Sequence, residues 1–452
     1  MQDLTTGSLT RHLLKTTSFM LVSMVFQTLY VLVDLYWVGR LGTEAVAAVA
    51  VSGNLMFVVL AATQMLGVGT TTLVSHATGR QDRERALLVF NQSLLLSLVV
   101  GAAFLAVMMA LRDTFARSLS ADTATADLAN DYLLWFIPAL AMQFGLVAMG
   151  AALRGTGNFK PGMIVQTATV IINIVLAPVL IFGWGTGRPL GVAGAAVATF
   201  IAILIGIAWM AIYFVGPGAY LRFVRADMRP RLALWAEMLR IGLPAGAEFA
   251  LMSVGMVVVY IVSRPFGAAA QAGFGIGMRI IQACFMPVVA LGFAVAPVAG
   301  QNVGAGKAAR VRQTFTVAAA MASGVMLMVA IGAQLAGGAA VRMFSADPDA
   351  IAVGVEYLRI VAWSFVPSGI VFVSSSMFQA MGNTMPSLIT SFTRVILVTI
   401  PLLLLSGQPG FVLRWVWYVS VTAALLQLLM NLALLRREFR VRLPPEQVPA
   451  IY

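Results

Sequence analysis

Two acidic residues, Asp34 and Glu248, lie inside long apolar stretches of the sequence, where a charged side chain is costly. At the centre of a membrane such an acid costs about 2.5 to 3.5 kcal/mol on insertion scales, so it usually faces a cavity or a partner and serves ions, protons or substrate. Loss of hydration also favours the neutral form of a carboxyl group, which suits it to proton exchange. The alternative for each acid is a solvated position near the membrane surface, because Asp34 lies shortly before Arg40 and Glu248 shortly after Pro244.

Three polar residues of the first apolar stretch share one face of a helix. Gln27, Tyr30 and Asp34 are spaced three, four and seven residues apart, and residues at these spacings are neighbours on a helix surface. We expect Tyr30 to hydrogen-bond the carboxylate and Gln27 to continue the polar face. Inside lipid, such a face needs a cavity or contacts with other helices.

The rest of the sequence predicts the membrane helices that position these residues. The chain has 452 residues, of which 60% are hydrophobic and 10% charged, and a mean hydropathy of +0.92. A membrane span needs roughly 20 mostly apolar residues. The sequence therefore predicts an all-α integral membrane protein of about twelve transmembrane helices, at approximately 16–39, 46–76, 87–111, 130–152, 161–183, 191–214, 236–263, 269–300, 314–336, 355–380, 385–405 and 411–435.

The basic residues report the orientation of the chain in the membrane. The formal net charge is +12, and most Lys and Arg residues lie at the two termini and in the even-numbered loops. This is the positive-inside pattern, so we predict a multi-pass protein of the inner membrane with cytoplasmic N and C termini. It also argues against nucleic acid as a partner, because the charge marks topology.

The two halves of the chain match at a constant offset of 225 residues. Polar and glycine matches at one offset are hard to obtain by chance, and they pair Gly42 with Gly267, Gly79 with Gly304, Arg85 with Arg310, Ser120-Ala121-Asp122 with Ser345-Ala346-Asp347, Tyr132 with Tyr357, and Gly157-Asn158 and Pro161 with Gly382-Asn383 and Pro386. An even number of helices in each half predicts two parallel six-helix repeats, an arrangement found in transporters that work by alternating access. We expect an N-terminal lobe over 1–216, a cytoplasmic linker over 217–235, and a C-terminal lobe over 236–452 that ends in a basic tail.

Both acids break this repeat, because the position that matches Asp34 in the second half is Val259 and the position that matches Glu248 in the first half is Ser23. Positions that break the symmetry are better candidates for chemistry than the shared scaffold. Arg279 and Arg394 are further charges within the second half. Either snorkels to the membrane surface or pairs with an acid such as Glu248.

Several other kinds of site are not supported. A single cysteine and two histidines leave too few soft ligands for a zinc or copper centre. Gly304-Ala305-Gly306-Lys307 lacks the first glycine and the Ser or Thr of a phosphate-binding loop. We therefore predict no enzyme activity and no cofactor, only H+ or Na+ as a coupling ion.

Over nearly its whole length the chain resembles the multidrug and toxic compound extrusion (MATE) family. The resemblance rests on Asp34-Leu-Tyr-Trp-Val-Gly39-Arg40-Leu-Gly42, Gly67-x-Gly69-Thr-Thr-Thr-Leu-Val-Ser75 with Gly79-x-x-Asp82, Arg154-Gly155-x-Gly157-Asn158 with Pro161, Asn173-x-x-Leu176, Gly191-Val-Ala-Gly194-Ala-Ala-Val-Ala-Thr199, and Gly242-Leu-Pro244 followed by Glu248.

This resemblance implies a V-shaped pair of six-helix lobes, proton or sodium antiport, and export of small amphipathic, often cationic compounds. It also implies a coupling role for Asp34, with Tyr30, Asn173 and Thr199 as its polar surroundings. The sequence departs from the family at Ala177, where several members carry a second aspartate, and no acid lies between Ile360 and Ala380.

Together these observations predict a cation-coupled exporter with Asp34 as its coupling residue, and they favour the proton over sodium. Glu248 and Gln27 are candidates for substrate binding or for coupling in the second lobe. We expect a monomer surrounded by membrane lipids. The alternative is a lipid-linked oligosaccharide flippase of the same superfamily, which would need clustered basic residues to hold pyrophosphate; only Arg279 and Arg394 qualify.

Overall fold

A computed structural model describes residues 1–185 and 187–443; for residues 252 and 253 within this range it describes only the backbone. Within these residues the chain is helical and has no strand, and twelve helices are long and apolar enough to cross a membrane. They are α1 Leu9–Gly39, α2 Thr43–Gly79, α3 Arg83–Leu119, α4 Thr123–Gly155, α5 Lys160–Phe182, α6 Val192–Val215, α7 Leu232–Ser263, α8 Ala268–Gly304, α9 Ala308–Arg342, α10 Pro348–Ala380, α11 Met385–Ser406 and α12 Arg414–Arg442. The predicted fold class and helix number are confirmed.

Several helices are longer than the apolar stretches that predicted them. Helix α3 has 37 residues, or about 55 Å at 1.5 Å per residue, whereas the hydrocarbon core of a membrane is about 30 Å thick. Helix α1 begins at Leu9, seven positions before the predicted start at 16. Hydropathy detects only the part of a helix that lies in lipid, so the predicted spans did not include the polar helix ends.

Helix α10 is interrupted in the middle. Its two α-helical segments, Pro348–Val361 and Phe365–Ala380, are joined by a 3-10 turn at Ala362–Ser364. Pro367 explains the break, because a proline lacks a backbone N–H and its ring clashes with the carbonyl group four residues earlier.

The repeat seen in the sequence is present in the backbone. Gly157 and Gly382 both have positive φ, at 76° and 71°. The amide after each glycine bonds the helix it leaves, from Asn158 N to Leu153 O at 3.1 Å and from Asn383 N to Phe378 O at 3.0 Å. This geometry ends a helix with a left-handed residue, a conformation that glycine adopts without strain.

The described chain forms two compact units. The first contains Met1–Asp3 and Ser18–Gly242, and the second contains Leu4–Thr17 and the described residues from Leu243 onward. The predicted linker 217–235 and residues 236–242 of the predicted C-terminal lobe thus belong to the first unit, and residues 4–17 of the predicted N-terminal lobe belong to the second. The last residues of the predicted C-terminal lobe, 444–452, lie outside the described residues.

Side-chain amides hold both the N-terminal segment and the linker. In the second unit Gln301 and Asn302 of α8 bond the amide and carbonyl groups of Leu4, and the side chain of Leu4 is completely buried. In the first unit Asn91 and Gln92 of α3 bond the backbone of residues 222–231. These bonds satisfy backbone groups that no helix satisfies.

The start of α7 packs very closely on α2 in the first unit. A Cβ atom added to Gly242 would lie 1.9 Å from the carbonyl oxygen of Met65, and one added to Gly69 would lie 2.6 Å from that of Met238. Only glycine permits this approach of two backbones.

Candidate functional site

The first unit contains a hydrogen-bonded group of side chains from three helices. The Asn173 amide of α5 donates to Thr199 Oγ1 of α6 at 3.0 Å, and the hydroxyl of Tyr30 on α1 lies 3.1 Å from the same atom. Thr199 and Asn173 are buried. Three of the residues that the MATE resemblance places around the acid are thus in direct contact.

Close packing of α5 on α6 brings Asn173 to Thr199. A Cβ atom added to Gly194 would lie 2.7 Å from backbone atoms of Leu180 and Ile181, so the two helix backbones touch at that point. Larger residues at Gly194 would separate the helices and lengthen the 3.0 Å bond.

A count of hydroxyl protons gives a self-consistent direction for these bonds. Thr199 Oγ1 also donates to the carbonyl oxygen of Ala195 at 3.1 Å. A hydroxyl group has one proton and two acceptor lone pairs, so a Thr199 that gives its proton to Ala195 accepts from both Asn173 and Tyr30. We assign the bonds in this way, which commits the only hydroxyl proton of Tyr30 to Thr199.

Asp34 lies one helical turn after Tyr30 and is only 8% exposed. Its Oδ1 atom is buried and has no hydrogen-bond partner among the described residues, and the hydroxyl groups of Tyr30 and Tyr132 lie within electrostatic range of its charge. Buried polar atoms are nearly always bonded, so an orphaned carboxylate oxygen needs an explanation, such as a proton or an ion that occupies the site. The expected bond from Tyr30 to the carboxylate is absent from the bonds described, because the proton of Tyr30 is used elsewhere.

The other predicted residues of this unit lie apart from that group. Gln27 is exposed, and its side-chain oxygen accepts a hydrogen bond from Gln166 of α5 at 3.2 Å. Ala177, one turn after Asn173, is buried. Among the described residues no group of three His, Cys, Asp or Glu side chains could hold a metal ion.

The second unit contains a different carboxylate site. Three serine hydroxyl groups lie against the Glu248 carboxylate of α7: Ser375 of α10 and Ser391 of α11, each 3.1 Å from Oε1, and Ser387 of α11, 2.7 Å from Oε2. Ser387 and Ser391 are four residues apart and so share one face of α11. Ser375 and Ser387 are also 2.6 Å from each other.

Arg394 reaches this carboxylate through two intermediates. Its Nη1 donates to Gln427 Oε1 of α12 at 3.2 Å, and Gln427 Nε2 donates to Ser391 Oγ at 3.3 Å. The described ion pairs do not include one between Arg394 and Glu248, so the two charges are linked through Gln427 and Ser391.

An apolar cleft adjoins the Glu248 site. It has a volume of about 460 Å³ and is lined by Ala247, Ala250, Leu251, Val254, Leu388, Ile389 and Phe392. Three of the lining residues, Ala247, Leu388 and Phe392, are direct sequence neighbours of Glu248, Ser387 and Ser391. Its size lies within the range of about 300 to 1,000 Å³ that is typical of small-molecule pockets.

A protein-family model described as MatE matches residues 20–179 and 244–405. The chain belongs to the MatE family. The model matches once in each half, as the repeat requires, and it places the chain among the MATE transporters, which are multi-pass membrane proteins and not enzymes.

Relatives in this family carry several descriptions. The multidrug export protein MepA of Staphylococcus haemolyticus is 28% identical, and the match covers 80% of each chain. The probable multidrug resistance protein YpnP of Bacillus subtilis is 27% identical over 86% of each chain. The FAD transporter of Shewanella oneidensis is 24% identical over 82% of each chain.

Solved structures of MOP superfamily transporters have the same fold. A multidrug resistance MATE family transporter of the MOP superfamily in its outward-facing conformation has a TM-score of 0.89 and 25% identity, with 98% of each chain covered. A MOP superfamily transporter from Pyrococcus furiosus Vc1 (DSM3638), for which a reversed polarity of the binding pocket was described, gives a TM-score of 0.89 at 24% identity over 98% of each chain.

Sequence reasoning missed the serines and the glutamine of this MatE-family chain. The repeat contains the signal that would have found them, because Ser375, Ser387 and Gln427 match Gly150, Gly162 and Ala202 in the first half. They break the symmetry just as the two acids do. Serines are common in membrane helices and cost little free energy there, so a serine predicts a functional site less strongly than a charged residue does.

Proposed function

We propose that this MATE transporter is a cation-coupled antiporter that exports small amphipathic, often cationic compounds across the inner membrane. It acts as a monomer among membrane lipids, with both termini in the cytoplasm, and the proton is the coupling ion. The positive-inside distribution of its basic residues supports the orientation.

The observation that carries this proposal is the orphaned, buried carboxylate oxygen of Asp34. An ionised Asp34 would attract a cationic group, whereas a neutral one is compatible with an apolar surrounding. Proton binding therefore competes with binding of a cationic substrate at this carboxyl group. Coupling of this kind is a difference in affinity between two states of the protein.

The substrate class follows from relatives and from the apolar cleft beside Glu248. Two relatives are described as multidrug proteins, and an apolar cleft next to an acidic residue suits a compound with an apolar body and a positive charge. The FAD transporter of Shewanella oneidensis makes a flavin nucleotide a second candidate substrate.

The flippase alternative finds less support in the described side chains. It requires basic residues gathered around a pyrophosphate, and Arg394 is instead bonded to Gln427, while Arg279 is exposed.

The test is efflux of a fluorescent cationic dye from liposomes that contain the purified protein, with a proton or a sodium gradient imposed separately. Wild type, Asp34→Asn and Asp113→Asn are compared; Asp113 is an exposed acid paired with Arg117 and serves as a matched control. We expect a proton gradient to drive efflux by wild type and Asp113→Asn but not by Asp34→Asn.

Two outcomes would overturn the proposal. Equal efflux by all three variants would remove Asp34 from coupling. If no dye moves under either gradient while FAD or a labelled lipid-linked sugar does, the substrate class is wrong.

A further inference from the structure

An open cleft on the second unit lies between the ends of three helices. It has a volume of about 760 Å³, and residues of α9, α10 and α12 line it. Three of them are arginines: Arg342 in the last turn of α9, Arg359 of α10, and Arg414, the first residue of α12. Glu356 is the only acid among the described lining residues. The cleft therefore has a net positive charge.

Glu356 neutralises one of the three arginines. Arg414 Nε donates to Glu356 Oε1 at 2.6 Å, and Arg414 Nη2 donates to the same oxygen. The described ion pairs include neither Arg342 nor Arg359, and both residues are exposed. A guanidinium group carries five N–H donors in a fixed planar arrangement that matches phosphate and carboxylate oxygens. Two such groups are thus available to an anion in the cleft.

The orientation of the chain does not account for these charges. The helix ends that border the cleft belong to the α9–α10 and α11–α12 loops, which lie opposite the cytoplasmic termini in the proposed orientation. Lys and Arg residues are enriched in cytoplasmic loops and are few on the opposite side of this chain, yet three of them meet in one cleft. Because like charges in one cleft repel each other, an anion between them gives their convergence a physical reason.

The cleft lies at the level of the membrane surface. Arg342 and Arg414 are at helix ends, and Trp415 and Tyr418 near the start of α12 are exposed. Trp and Tyr are enriched where helices cross the membrane–water interface. Arg359 lies about three turns into α10, but helical side chains lean toward the helix N-terminus, so its guanidinium group can extend back to the surface.

The floor of the cleft is apolar and continues into exposed apolar residues. Three half-buried side chains of α10 contribute to the lining: Ile351, Val355 and Ile360. Leu335, two turns before Arg342 on α9, and Trp363, one turn after Arg359 on α10, are largely exposed. A ligand with an anionic head and apolar chains would use both parts of this surface, whereas a soluble anion would leave the apolar part in water.

We propose that this cleft binds the phosphate group of an anionic phospholipid through Arg342 and Arg359, with the acyl chains of the lipid along α9 and α10. Guanidinium groups bind phosphate oxygens through two parallel N–H···O bonds. Gln334 of α9 donates to the backbone carbonyl oxygen of Arg359 at 2.8 Å, so the two helices that carry these arginines are joined beside the cleft. In the proposed orientation the lipid belongs to the membrane leaflet away from the cytoplasm.

Native mass spectrometry of the full-length protein in detergent tests the proposal, because it resolves each bound lipid and gives a dissociation constant for it. The probes are phosphatidylglycerol, phosphatidylcholine with the same acyl chains, and glycerol phosphate, which is a headgroup without chains. We expect wild type to bind one phosphatidylglycerol about tenfold more tightly than phosphatidylcholine, and to bind glycerol phosphate far more weakly than either lipid.

Four variants locate the binding site. Arg342→Gln and Arg359→Gln should each weaken phosphatidylglycerol binding about tenfold, the effect of losing a hydrogen bond to a charged group. Glu356→Gln removes the acid of the cleft and releases Arg414, so it should tighten binding. Arg117→Gln is the matched control, because it removes an exposed arginine from the last turn of α3 in the first unit, and it should leave binding unchanged.

Three results would overturn the proposal. Equal dissociation constants in wild type, Arg342→Gln and Arg359→Gln would refute the site. An equal loss of affinity in Arg117→Gln would reduce the lipid preference to the overall charge of the protein. Glycerol phosphate that binds as tightly as phosphatidylglycerol, and at the same arginines, would make this a site for a soluble anion. Lipid binding in detergent does not depend on the coupling ion or on the transported substrate, so these results are independent of the transport proposal.

Discussion

Replacing Thr199 with valine should change how strongly the transporter responds to protons. Valine has nearly the shape of threonine but no hydroxyl group, so Thr199→Val removes the atom that accepts from Asn173 and from Tyr30. The Tyr30 hydroxyl then has a free proton one helical turn from Asp34. We expect it to turn toward the orphaned carboxylate oxygen.

The size of the effect follows from that new bond. A hydrogen bond to a charged group contributes about 1.5 to 3 kcal/mol, and 1.36 kcal/mol corresponds to about one pH unit. The ionised form of Asp34 would gain this stabilisation, so protonation would require a more acidic medium. The pH at which dye efflux is half-maximal should therefore move by about one to two units toward acid.

The assay is proton-driven dye efflux from liposomes over a series of external pH values. Thr199→Ser is the control because it keeps the hydroxyl group, and its profile should match wild type. The buried Asn173 amide loses a partner in Thr199→Val, which costs about 1 to 3 kcal/mol of stability; a thermal unfolding measurement separates that loss from the change in pH profile. A Thr199→Val profile that coincides with wild type would refute the assignment of the Tyr30 proton to Thr199.

Three further predictions concern the scaffold. Gly242→Ala should lower the free energy of unfolding by about 1 to 3 kcal/mol, because the added methyl group would overlap a backbone oxygen of α2. The control is Gly324→Ala, whose Cβ meets no atom within 4 Å and which should leave the free energy of unfolding unchanged or raise it slightly. Thermal unfolding of both variants measures the difference. At the start of α4 the exposed Asp122 carboxylate accepts a hydrogen bond from the backbone N–H of Thr125, which lowers the pKa of this carboxyl group. Wild type should therefore be more stable than Asp122→Ala at neutral pH, and the difference should disappear as the pH falls through that lowered pKa. Equal stabilities at neutral pH would contradict this. Arg310→Met removes two donors to the backbone of the N-terminal segment, so hydrogen exchange of residues 4–7 should become faster, whereas the repeat-related Arg85→Met should leave it unaltered.

The fold could be predicted from the sequence because its signals are long and redundant. Twelve apolar stretches, each of about a helix length, were confirmed as helices, and the repeat gave matching turns at Gly157 and Gly382. The helix ends could not be predicted, since nothing apolar marks them. The membership of residues 4–17 in the second unit rests on contacts with Gln301 and Asn302 that lie far away in the sequence.

The candidate site was only partly predictable for a related reason. Charges in an apolar stretch identify Asp34 and Glu248 without any structure, and the family motifs identify Asn173 and Thr199. The direction of the Tyr30 bond could not be read from spacing, because it depends on the third partner of Thr199, the carbonyl of Ala195. A hydrogen-bond assignment requires all partners of a hydroxyl group to be known.

The two acids differ in the hydrogen-bonding groups around them. No described hydrogen bond reaches Oδ1 of Asp34, and the hydroxyl group of Tyr30, one helical turn away, is bonded to Thr199. Glu248 has three serine hydroxyl groups in direct contact. An acid whose oxygen lacks a partner gains most from an outside ligand, whereas both oxygens of the Glu248 carboxylate already accept hydrogen bonds within the protein.

This asymmetry arises from divergence within a duplicated scaffold. The turn glycines Gly157 and Gly382 and the helix-capping Asp122 and Asp347 are alike in the two halves. The chemical groups differ: Asp34 matches Val259, and Glu248 with its serines matches Ser23, Gly150 and Gly162. Exchange of a carboxylate between the repeat positions would therefore not transfer the hydrogen-bonding surroundings of either acid.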